Sequence, residues 1–304
     1  MKHLFIINPA AGKSDRTEEF SRKIHEVCRK HGLDYEIRVS ARQGDCLTIA
    51  RDACETGQEL RIYACGGDGT LNEVVNGAVG FENAAVTHFP GGSGNDCIKM
   101  FSQPEAFFDL ERLIDAQSTE LDLVKCNGRY ALSILSIGFD AKVGTDVARF
   151  KRLPLVSGKG AYILSILANM LHGLSEHYIV NVNGQSVDAR QTMICVCNGR
   201  WYGGGFCPVP EAEPDDGILD VLMVNQVGIL KAAGVIGHYQ KGEYANYPEL
   251  FRHERCDSLT IRCDGRSVVN LDGEAMWTDF ATIRVAPKAI RFFYPRGLSF
   301  HARS

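Results

Sequence analysis

The chain has 304 residues, a formal net charge of −4 and a pI near 6.1. This length is sufficient for two domains, each with a hydrophobic core of its own. The slightly acidic balance excludes the overall basic footprint of a nucleic-acid-binding protein and leaves only local basic clusters open. Nucleic acid is therefore not an expected partner.

The cysteines indicate a reducing compartment. Eleven occur, an odd number, and they lie within apolar stretches such as 64–65 and 194–197. This pattern predicts buried, reduced thiols rather than a disulfide framework. No signal-peptide pattern precedes the first strand, and no apolar run is long enough to span a bilayer. We therefore expect a cytoplasmic protein that meets a membrane only from its surface.

Strands and helices alternate up to about residue 122. Apolar runs predict strands at 4–7, 35–39, 60–64 and 84–89. The first helix is expected after residue 15, with an apolar face formed by Phe20, Ile24, Val27 and Cys28. Further helices are expected from residue 46 and from residue 71. This βαβα order predicts a parallel sheet covered by helices.

Three of these strands are followed by glycine-rich turns, at 8–14, 65–70 and 90–96. Glycines remove Cβ atoms where a backbone must approach a ligand, and a helix start offers unpaired N–H groups to an anion. Turns at the carboxyl ends of parallel strands converge on one crevice, which favours a nucleotide phosphate site over three unrelated turns. Asp68 fits such a site if a divalent cation or a substrate proton lies between its carboxylate and the phosphate.

From residue 130 onward the pattern changes to strands joined by hairpin turns. Asn183-Gly184 and Asp264-Gly265 each stand between apolar strand segments, which predicts two hairpins. Helices are expected at 160–174 and 227–239. The sequence predicts an α/β domain at 1–127 and a mostly antiparallel β domain at 128–304, with the active site in the cleft between them. The last strands, at 282–285 and 290–294, fit either domain.

An ordered set of motifs resembles the diacylglycerol kinase catalytic-domain family, which includes bacterial soluble diacylglycerol and lipid kinases and the related sphingosine and ceramide kinases. The motifs are Asn8-Pro9 with Gly12, and residues 66–73, 90–96, 136–141, 216–220 and 271–274. The resemblance spans nearly the whole chain. It implies an N-terminal nucleotide-binding α/β domain with a parallel sheet, followed by a β-sandwich-like domain for the lipid.

The resemblance implies an ATP site built from the three glycine-rich turns. The residues assigned to it are Asn8, Pro9, Ala10, Ala11, Gly12, Ser40, Gly66, Gly67, Asp68, Gly69, Thr70, Leu71, Asn72 and Ser93. For Ser40, a cap at the end of the second strand is an open alternative. Lys13 and Arg16 lie where cations would neutralise phosphate oxygens.

The resemblance also implies magnesium. Asp68, Asp96 and Asp122 resemble an acidic set that holds the nucleotide-associated ion directly or through water, as Mg²⁺ prefers. Two alternatives stay open, because Asp96 would also serve as a helix N-cap and Asp122 as a solvent-facing strand end.

Two further assignments concern the second domain. The resemblance implies a structural magnesium ion bound by Asp216 and by main-chain oxygens of Glu213 and Ile218, and the alternative is an Asp-Gly turn that binds nothing. Asp140 resembles the residue that meets the lipid head group in sphingoid-base kinases, or it caps local backbone. A basic cluster at 149–159 would face anionic lipid or form a solvated loop.

The proton acceptor is implied at Asp272-Gly273-Glu274. Glu274 is the expected base, Asp272 is the second choice, and Asp68 completes the catalytic carboxylates. A carboxylate within hydrogen-bond reach of a lipid hydroxyl would accept its proton as the bond to phosphorus forms.

The sequence thus predicts an ATP- and magnesium-dependent lipid kinase that converts diacylglycerol to phosphatidic acid. One alternative is a kinase for a sphingoid base, phosphatidylglycerol or another hydroxylated lipid, and another is a non-catalytic nucleotide-binding regulator. A dehydrogenase is disfavoured because no glycine turn carries the full dinucleotide fingerprint. The expected partner is a lipid at the inner membrane face, where the protein would associate peripherally, and a homodimer stays open.

Overall fold

The computed structural model of the chain describes residues 1–92, 94–139, 141–143 and 174–300. The chain divides into two units, Met1–Leu123 with Ala286–Ser304, and Val124–Val285. Several features singled out above lie outside the described residues: Ser93, Asp140, the basic cluster at 149–159, and the helix expected at 160–174 except for its last residue.

The first unit alternates strands and helices. Its elements are β1 (Lys2–Ile7), α1 (Thr17–Lys30), β2 (Tyr35–Val39), α2 (Asp45–Glu55), β3 (Leu60–Gly66), α3 (Asp68–Ala78), β4 (Ala84–Pro90), the 3-10 turns Cys97–Met100 and Pro104–Phe108, α4 (Leu110–Ile114) and the start of β5 (Ala116–Cys126). The first helix buries Phe20, Ile24, Val27 and Cys28, which confirms the apolar face predicted for it.

The strands β2, β1, β3 and β4 lie side by side in this order, and each adjoining pair is parallel. Nearly all of β1, β3 and β4 is buried, as expected for strands covered on both faces. The turns that follow β1, β3 and β4 therefore emerge at one edge of the sheet. The end of the last strand joins the same sheet, with Phe292 paired in parallel with Val86.

The second unit is built mainly from antiparallel strands. Its elements are β6 (Arg129–Ala131), β7 (Ile134–Gly138), β8 (Glu176–Val182), β9 (Gln185–Cys197), β10 (Leu219–Asn225), α5 (Ile229–Gln240), the 3-10 turn Tyr244–Asn246, β11 (Phe251–Cys256), β12 (Ser258–Leu271) and the first part of β13 (Glu274–Pro295). The strands β11, β10, β9, β7 and β12 are neighbours in this order, and β8 pairs with both β9 and β12.

Alternate residues of β9 enter two different hydrophobic clusters. Ile194 and Val196 belong to a cluster with residues of β8, β12 and β13, whereas Cys195 and Cys197 belong to a cluster with α5 and β11. Successive side chains of a strand point to opposite faces, so this part of the sheet is covered by apolar residues on both sides. All eleven cysteines of the chain are buried free thiols.

One of the two predicted hairpins is confirmed and the other is wrong. Asn183 and Gly184, at φ values of 52° and 73°, form a two-residue turn between β8 and β9. Asp264-Gly265 instead lies inside the continuous strand β12, where the pairing register with β13 shifts between Arg262 and Ser267. Residues 263–266 therefore stand opposite Asp279 alone, and the glycine, at φ 82°, accommodates a bulge rather than a reversal of the chain.

No helix among the described residues has the length and apolar character needed to cross a bilayer.

His3 is a buried titratable group in the first strand. Its side chain is 3% exposed, and its Nδ1 atom lies 2.8 Å from the hydroxyl of Tyr63 on β3. Burial lowers the pKa of His3 to about 4, and the positive charges of Arg61 and the N-terminus act in the same direction. The ring is therefore neutral at pH 7 and must lose its buried environment, or accept an unfavourable charge, when the pH falls.

We expect this histidine to make the fold acid-sensitive. The pKa of His3 is lower in the folded state than in the unfolded state, so its contribution to the free energy of unfolding is complete above about pH 6.5. This contribution, about 3 kcal/mol, is lost as the pH falls towards 4. Glutamine keeps a hydrogen-bonding side chain without the titration. Urea unfolding of His3→Gln should therefore show a smaller loss of unfolding free energy between pH 7 and pH 4 than the wild type.

The matched control is His25→Gln, because His25 also contacts a tyrosine hydroxyl, at 2.7 Å from Tyr35, but is exposed. This control should follow the wild-type pH dependence. Equal slopes for His3→Gln and the wild type would contradict the assignment.

Candidate active site

The three glycine-rich turns of the first unit pack against one another through their backbones. A Cβ atom on Gly12 would lie 2.6 Å from the carbonyl oxygen of Gly91, and one on Gly92 would lie 2.5 Å from the Cα atom of Gly67. Real Cβ atoms do not approach other atoms this closely, so only glycine fits at these contacts. The turn at 90–96 therefore touches both other turns, and the convergence expected from the sequence is present.

A single carbonyl group connects the second and third turns. The Gly66 oxygen accepts hydrogen bonds from the amides of Gly91 at 2.7 Å and Gly92 at 3.1 Å. It also accepts one from Nε2 of His88, at 2.9 Å. Because a carbonyl oxygen only accepts, the ring proton of His88 is on Nε2. These bonds fix the position of the turn after β3 relative to the turn after β4.

His88 is fully buried at the end of β4, and sequence reasoning did not single it out. Burial lowers the pKa of His88, whereas the nearby carboxylates of Asp68 and Asp96 act to raise it. Its Nδ1 atom is buried without a hydrogen-bond partner in the described part of the chain. A neutral histidine therefore lies close to the two acidic residues. Its location two residues before the Pro90-Gly91-Gly92 turn was the available signal in the sequence.

Asn8 connects the first turn to the second. Its side-chain amide donates a hydrogen bond of 3.0 Å to the hydroxyl of Thr70, and its side-chain oxygen accepts one from the amide of Ala10. Thr70 is 3% exposed and folds back over Gly66, where a Cβ would lie 2.3 Å from the threonine hydroxyl. Both residues thus shape the turns.

Asp68 and Asp96 lie together at the start of α3. One carboxylate oxygen of Asp68 accepts a hydrogen bond of 2.6 Å from the amide of Asp96. The other oxygen lies 2.7 Å, and an Asp96 oxygen 3.5 Å, from the position that a Cβ on Gly94 would take. Lys99 forms an ion pair with Asp96. Neighbouring carboxylates are the ligands that a divalent ion prefers, so this pair suits a site that receives one.

Asp122 lies on β5. It is 1% exposed and accepts a hydrogen bond of 2.7 Å from the amide of Lys288 on β13. Within residues 1–92, 94–139, 141–143 and 174–300, no three His, Cys, Asp or Glu side chains are grouped closely enough to hold a metal ion. The three aspartates named above are therefore not a preformed three-ligand cluster.

Several other residues assigned to the nucleotide site are engaged within the fold. Ser40 is 5% exposed and lies beside Cys46, whose pKa is raised by burial and lowered in part by the Ser40 hydroxyl. Leu71 lies in the hydrophobic core, and the side chain of Asn72 accepts a hydrogen bond from Asn76. Glu73, the last residue of the motif, accepts hydrogen bonds from the amides of Gly44 and Cys46 and so caps the N-terminus of α2.

In the second unit, Asp272 lies in the turn between β12 and β13, and Glu274 directly follows it. Asp272 has a φ of 50° and Gly273 one of 99°, as in a tight two-residue hairpin turn. The carboxylate of Asp272 accepts hydrogen bonds from three consecutive amides, those of residues 132, 133 and 134. Glu274 is partly exposed and begins β13. Asp272 thus anchors the turn, and the role of Glu274 as proton acceptor stays a prediction.

The predicted structural magnesium site contains a protein cation. Asp216 accepts a hydrogen bond of 3.0 Å from the amide of Ile218 and forms an ion pair with Arg255. Glu213 pairs with Arg200 at 3.1 Å. A divalent ion would have to share the Asp216 carboxylate with the Arg255 guanidinium, and its presence stays a prediction.

A parallel α/β unit with glycine turns at the carboxyl ends of its strands is typical of nucleotide-binding proteins. Comparison with known proteins gives the family. Residues 2–126 match the diacylglycerol kinase catalytic domain, and residues 133–294 match the YegS C-terminal NAD kinase beta sandwich-like domain. The chain belongs to this diacylglycerol kinase family, with a C-terminal β-sandwich-like domain, and is a kinase.

Individual relatives agree with this assignment. A protein of Staphylococcus aureus strain MRSA252, provisionally named a lipid kinase, is 26% identical over 90% of this chain and 89% of its own length. A protein of Staphylococcus epidermidis strain ATCC 12228 with a similar provisional name is 25% identical over the same shares.

A crystal structure from Bacillus anthracis, provisionally titled a diacylglycerol kinase, shares the fold with a TM-score of 0.76 at 22% identity, covering 98% of both chains. A second structure from the same organism, titled a diacylglycerol kinase, has a TM-score of 0.68 at 20% identity over 97% of both chains.

The contact between Gly67 and Gly92 is directly testable. Gly92→Ala places a methyl group against backbone that cannot move without separating the turns, so we expect a loss of about 1–3 kcal/mol in unfolding free energy. ATP binding measured by calorimetry should weaken in the same variant.

Gly234→Ala on α5 is the control, because nothing lies within 4 Å of its added methyl group. Alanine is favoured over glycine inside a helix, so this variant should be as stable as the wild type or slightly more stable. Wild-type stability and ATP affinity in Gly92→Ala would show that the turns do not depend on this contact.

Proposed function

We propose that this kinase transfers the γ-phosphoryl group of ATP to the hydroxyl of diacylglycerol and releases phosphatidic acid and ADP. The observation that supports it most is the mutual packing of three glycine turns, with Asp68 and Asp96 beside them. Family membership supports the reaction type, and the acceptor is the part of the proposal that rests on resemblance.

The turns supply the contacts that a triphosphate needs. Helix α3 begins at Asp68, and its N-cap residue, Gly67, provides no side chain to satisfy the first amides of the helix. Unpaired amides at a helix start, together with the positive end of the helix dipole, bind phosphate oxygens. Glycine at these positions allows the backbone to approach them closely. We assign phosphate contacts to the turns at 8–12 and 66–70 and to the turn containing Ser93.

Asp68 and Asp96 carry the negative charge of this site. The substrate would be the magnesium complex of ATP, and the ion would neutralise charge that spreads over the γ-phosphoryl oxygens in the transition state. In the proposal one oxygen of Asp68, Oδ1, stays fixed by the amide of Asp96, and the other, Oδ2, orients that complex. The neutral ring of His88 donates a hydrogen bond to the Gly66 oxygen and so fixes the turn after β3. We keep Asp122 in the acidic set of the proposal, as a residue that would meet the ion through water.

Glu274 is proposed as the general base. Its carboxylate accepts the proton of the lipid hydroxyl while the hydroxyl oxygen forms its bond to the γ-phosphorus. The bond from that phosphorus to the β,γ-bridging oxygen breaks, and its electron pair leaves with ADP. A base of this kind contributes about a hundredfold or more to the rate. Asp272 keeps the turn in position and takes no proton.

Asp68→Asn tests the charge at the phosphate site. Asparagine has nearly the same shape and retains an oxygen to accept the Asp96 amide, so the fold should be kept. We expect the rate of phosphoryl transfer to fall by about a hundredfold or more, because a preorganised charge in the site is lost. Initial rates at saturating ATP and a titration of the magnesium requirement measure this effect. The control Asp52→Asn, at an exposed position of α2, should behave as the wild type.

Glu274→Gln and Asp272→Asn separate chemistry from anchoring. Glu274→Gln should melt at the wild-type temperature and lose about a hundredfold or more in rate. Asp272→Asn points a side-chain amide, or one neutral oxygen, at three backbone amides, and should lose about 2 kcal/mol of stability. A stable but inactive Asp272→Asn, with an active Glu274→Gln, would reverse the two assignments.

The acceptor is tested with labelled ATP and mixed vesicles. Diacylglycerol, a sphingoid base and phosphatidylglycerol are presented separately, each with and without Mg²⁺, and lipid products are resolved by chromatography. We expect labelled phosphatidic acid only when diacylglycerol and Mg²⁺ are both present. A labelled product from one of the other lipids instead would transfer the proposal to that acceptor, and no labelled lipid at all would overturn it.

A further inference from the structure

Helix α5 of the second unit is apolar on every side. Between residues 229 and 240 most of its side chains are aliphatic or small, with Lys231, His238, Tyr239 and the final glutamine as the exceptions. A helix of this composition is usually enclosed on all sides by other apolar groups. Yet only Val235 and Tyr239 of α5 are buried, against the cluster that contains Phe251 and Cys195. The tyrosine hydroxyl lies 2.7 Å from that of Tyr202, which fixes this side of the helix.

The opposite side of α5 presents large apolar groups to solvent. Leu230 is 91% exposed, Ile229 is 48% exposed and Ile236 is 45% exposed. The neighbouring Ala233 and Gly237 are exposed as well, so the apolar surface continues along the helix. We call the surface formed by residues 229, 230, 233, 236 and 237 the α5 patch. Single exposed leucines are ordinary on protein surfaces, whereas a continuous patch marks a contact with a partner or a membrane.

The chain segment that contains α5 carries basic residues and no acidic ones. No acidic residue occurs from Val221 to Gly242, while Lys231 lies in the first turn of α5 and Lys241 follows the last. Lys231 and Arg190 also line an open depression of about 650 Å³ that borders Ile229 and Leu230. Two carboxylates lie beside the helix. Glu243 pairs with His238 at 2.5 Å and Glu249 pairs with Lys231 at 3.5 Å, and because all four side chains are more than a third exposed, both pairs are weak.

We propose that the α5 patch docks the protein on a bilayer that contains anionic phospholipid. Leu230, Ile229 and Ile236 enter the boundary between head groups and acyl chains, and Lys231, Lys241 and Arg190 meet lipid phosphates. This inference rests on the proposed function, because a kinase for a glycerolipid must reach a substrate held in a membrane. Aliphatic side chains flanked by cations, with no acidic residue in the helix itself, are the composition of an interfacial helix.

The charge pattern favours a membrane over a second copy of the chain. Two copies joined through the α5 patch would bring their lysines towards each other without acidic residues from the patch to balance them. A bilayer with anionic lipid offers both an apolar layer and negative charge. The long side chains of Lys231 and Arg190 place their charges in water while their carbon chains lie along the apolar surface.

The test uses the full chain and flotation with vesicles made of equal parts phosphatidylcholine and phosphatidylglycerol. We expect the wild type to float with these vesicles, to float poorly with pure phosphatidylcholine, and to be released by added salt. Leu230→Glu should lower the partition constant by about tenfold or more, because a buried leucine is replaced by a repelled charge. Leu230→Trp should raise it, since tryptophan is favoured at the membrane interface.

Phe108→Glu is the matched control, because Phe108 is also a large exposed apolar residue, 46% exposed, and belongs to the first unit rather than to α5. It should float as the wild type does. Failure of the wild type to float, or equal flotation of Leu230→Glu, would overturn the proposal. A wild-type dimer in sedimentation that Leu230→Glu dissociates would also overturn it, since the patch would then be a contact between copies.

Kinase assays with two forms of substrate distinguish this proposal from the proposed function. Leu230→Glu should lose activity on long-chain diacylglycerol in anionic vesicles and keep wild-type activity on water-dispersed short-chain diacylglycerol. Loss of both activities in a folded protein would place Leu230 in the reaction rather than in docking, and would overturn the proposal. Flotation that depends on Leu230, in a wild type that phosphorylates no lipid, would uphold the docking surface and refute the proposed function.

Discussion

The close approach of backbone to backbone at three glycine turns is the constraint on which the site depends. Gly12 lies against Gly91, and Gly67 against Gly92, at distances that no side chain would permit. The parallel order of β1, β3 and β4 brings the turns to one sheet edge. Hydrogen bonds to the Gly66 carbonyl then hold two of them together. The start of α3 lies at this edge as well, and a helix start favours an anion.

The aspartates of the two units differ in the partners of their carboxylates. Asp68 is held by one oxygen and directs the other beside Asp96, which concentrates negative charge near the turns. Asp272 instead uses its carboxylate to accept three backbone amides. Asp216 is balanced by Arg255. Similar Asp-Gly sequences thus produce a charged site, an anchored hairpin and an ion pair, according to the donors that surround each carboxylate.

The sequence predicted the first unit well because its signals are local. Apolar periodicity located α1 and its buried face, and glycine turns after buried strands indicated the site. The hairpin predicted at Asp264-Gly265 was wrong because the same two residue types occur in hairpin turns and in β-bulges. Only the pairing with β13 distinguishes the two structures. The roles of His88, Glu73 and Asp272 depend on partners far away in the chain, which no local pattern specifies.

The most direct test of the central claim is hydrogen-deuterium exchange with and without ATP and Mg²⁺. If the three packed turns hold the triphosphate, amides within residues 8–14, 66–70 and 90–96 should all become slower to exchange when the nucleotide binds, and Asp68→Asn should weaken that protection. Protection confined to other segments, with these turns unchanged at saturating ATP, would contradict the account.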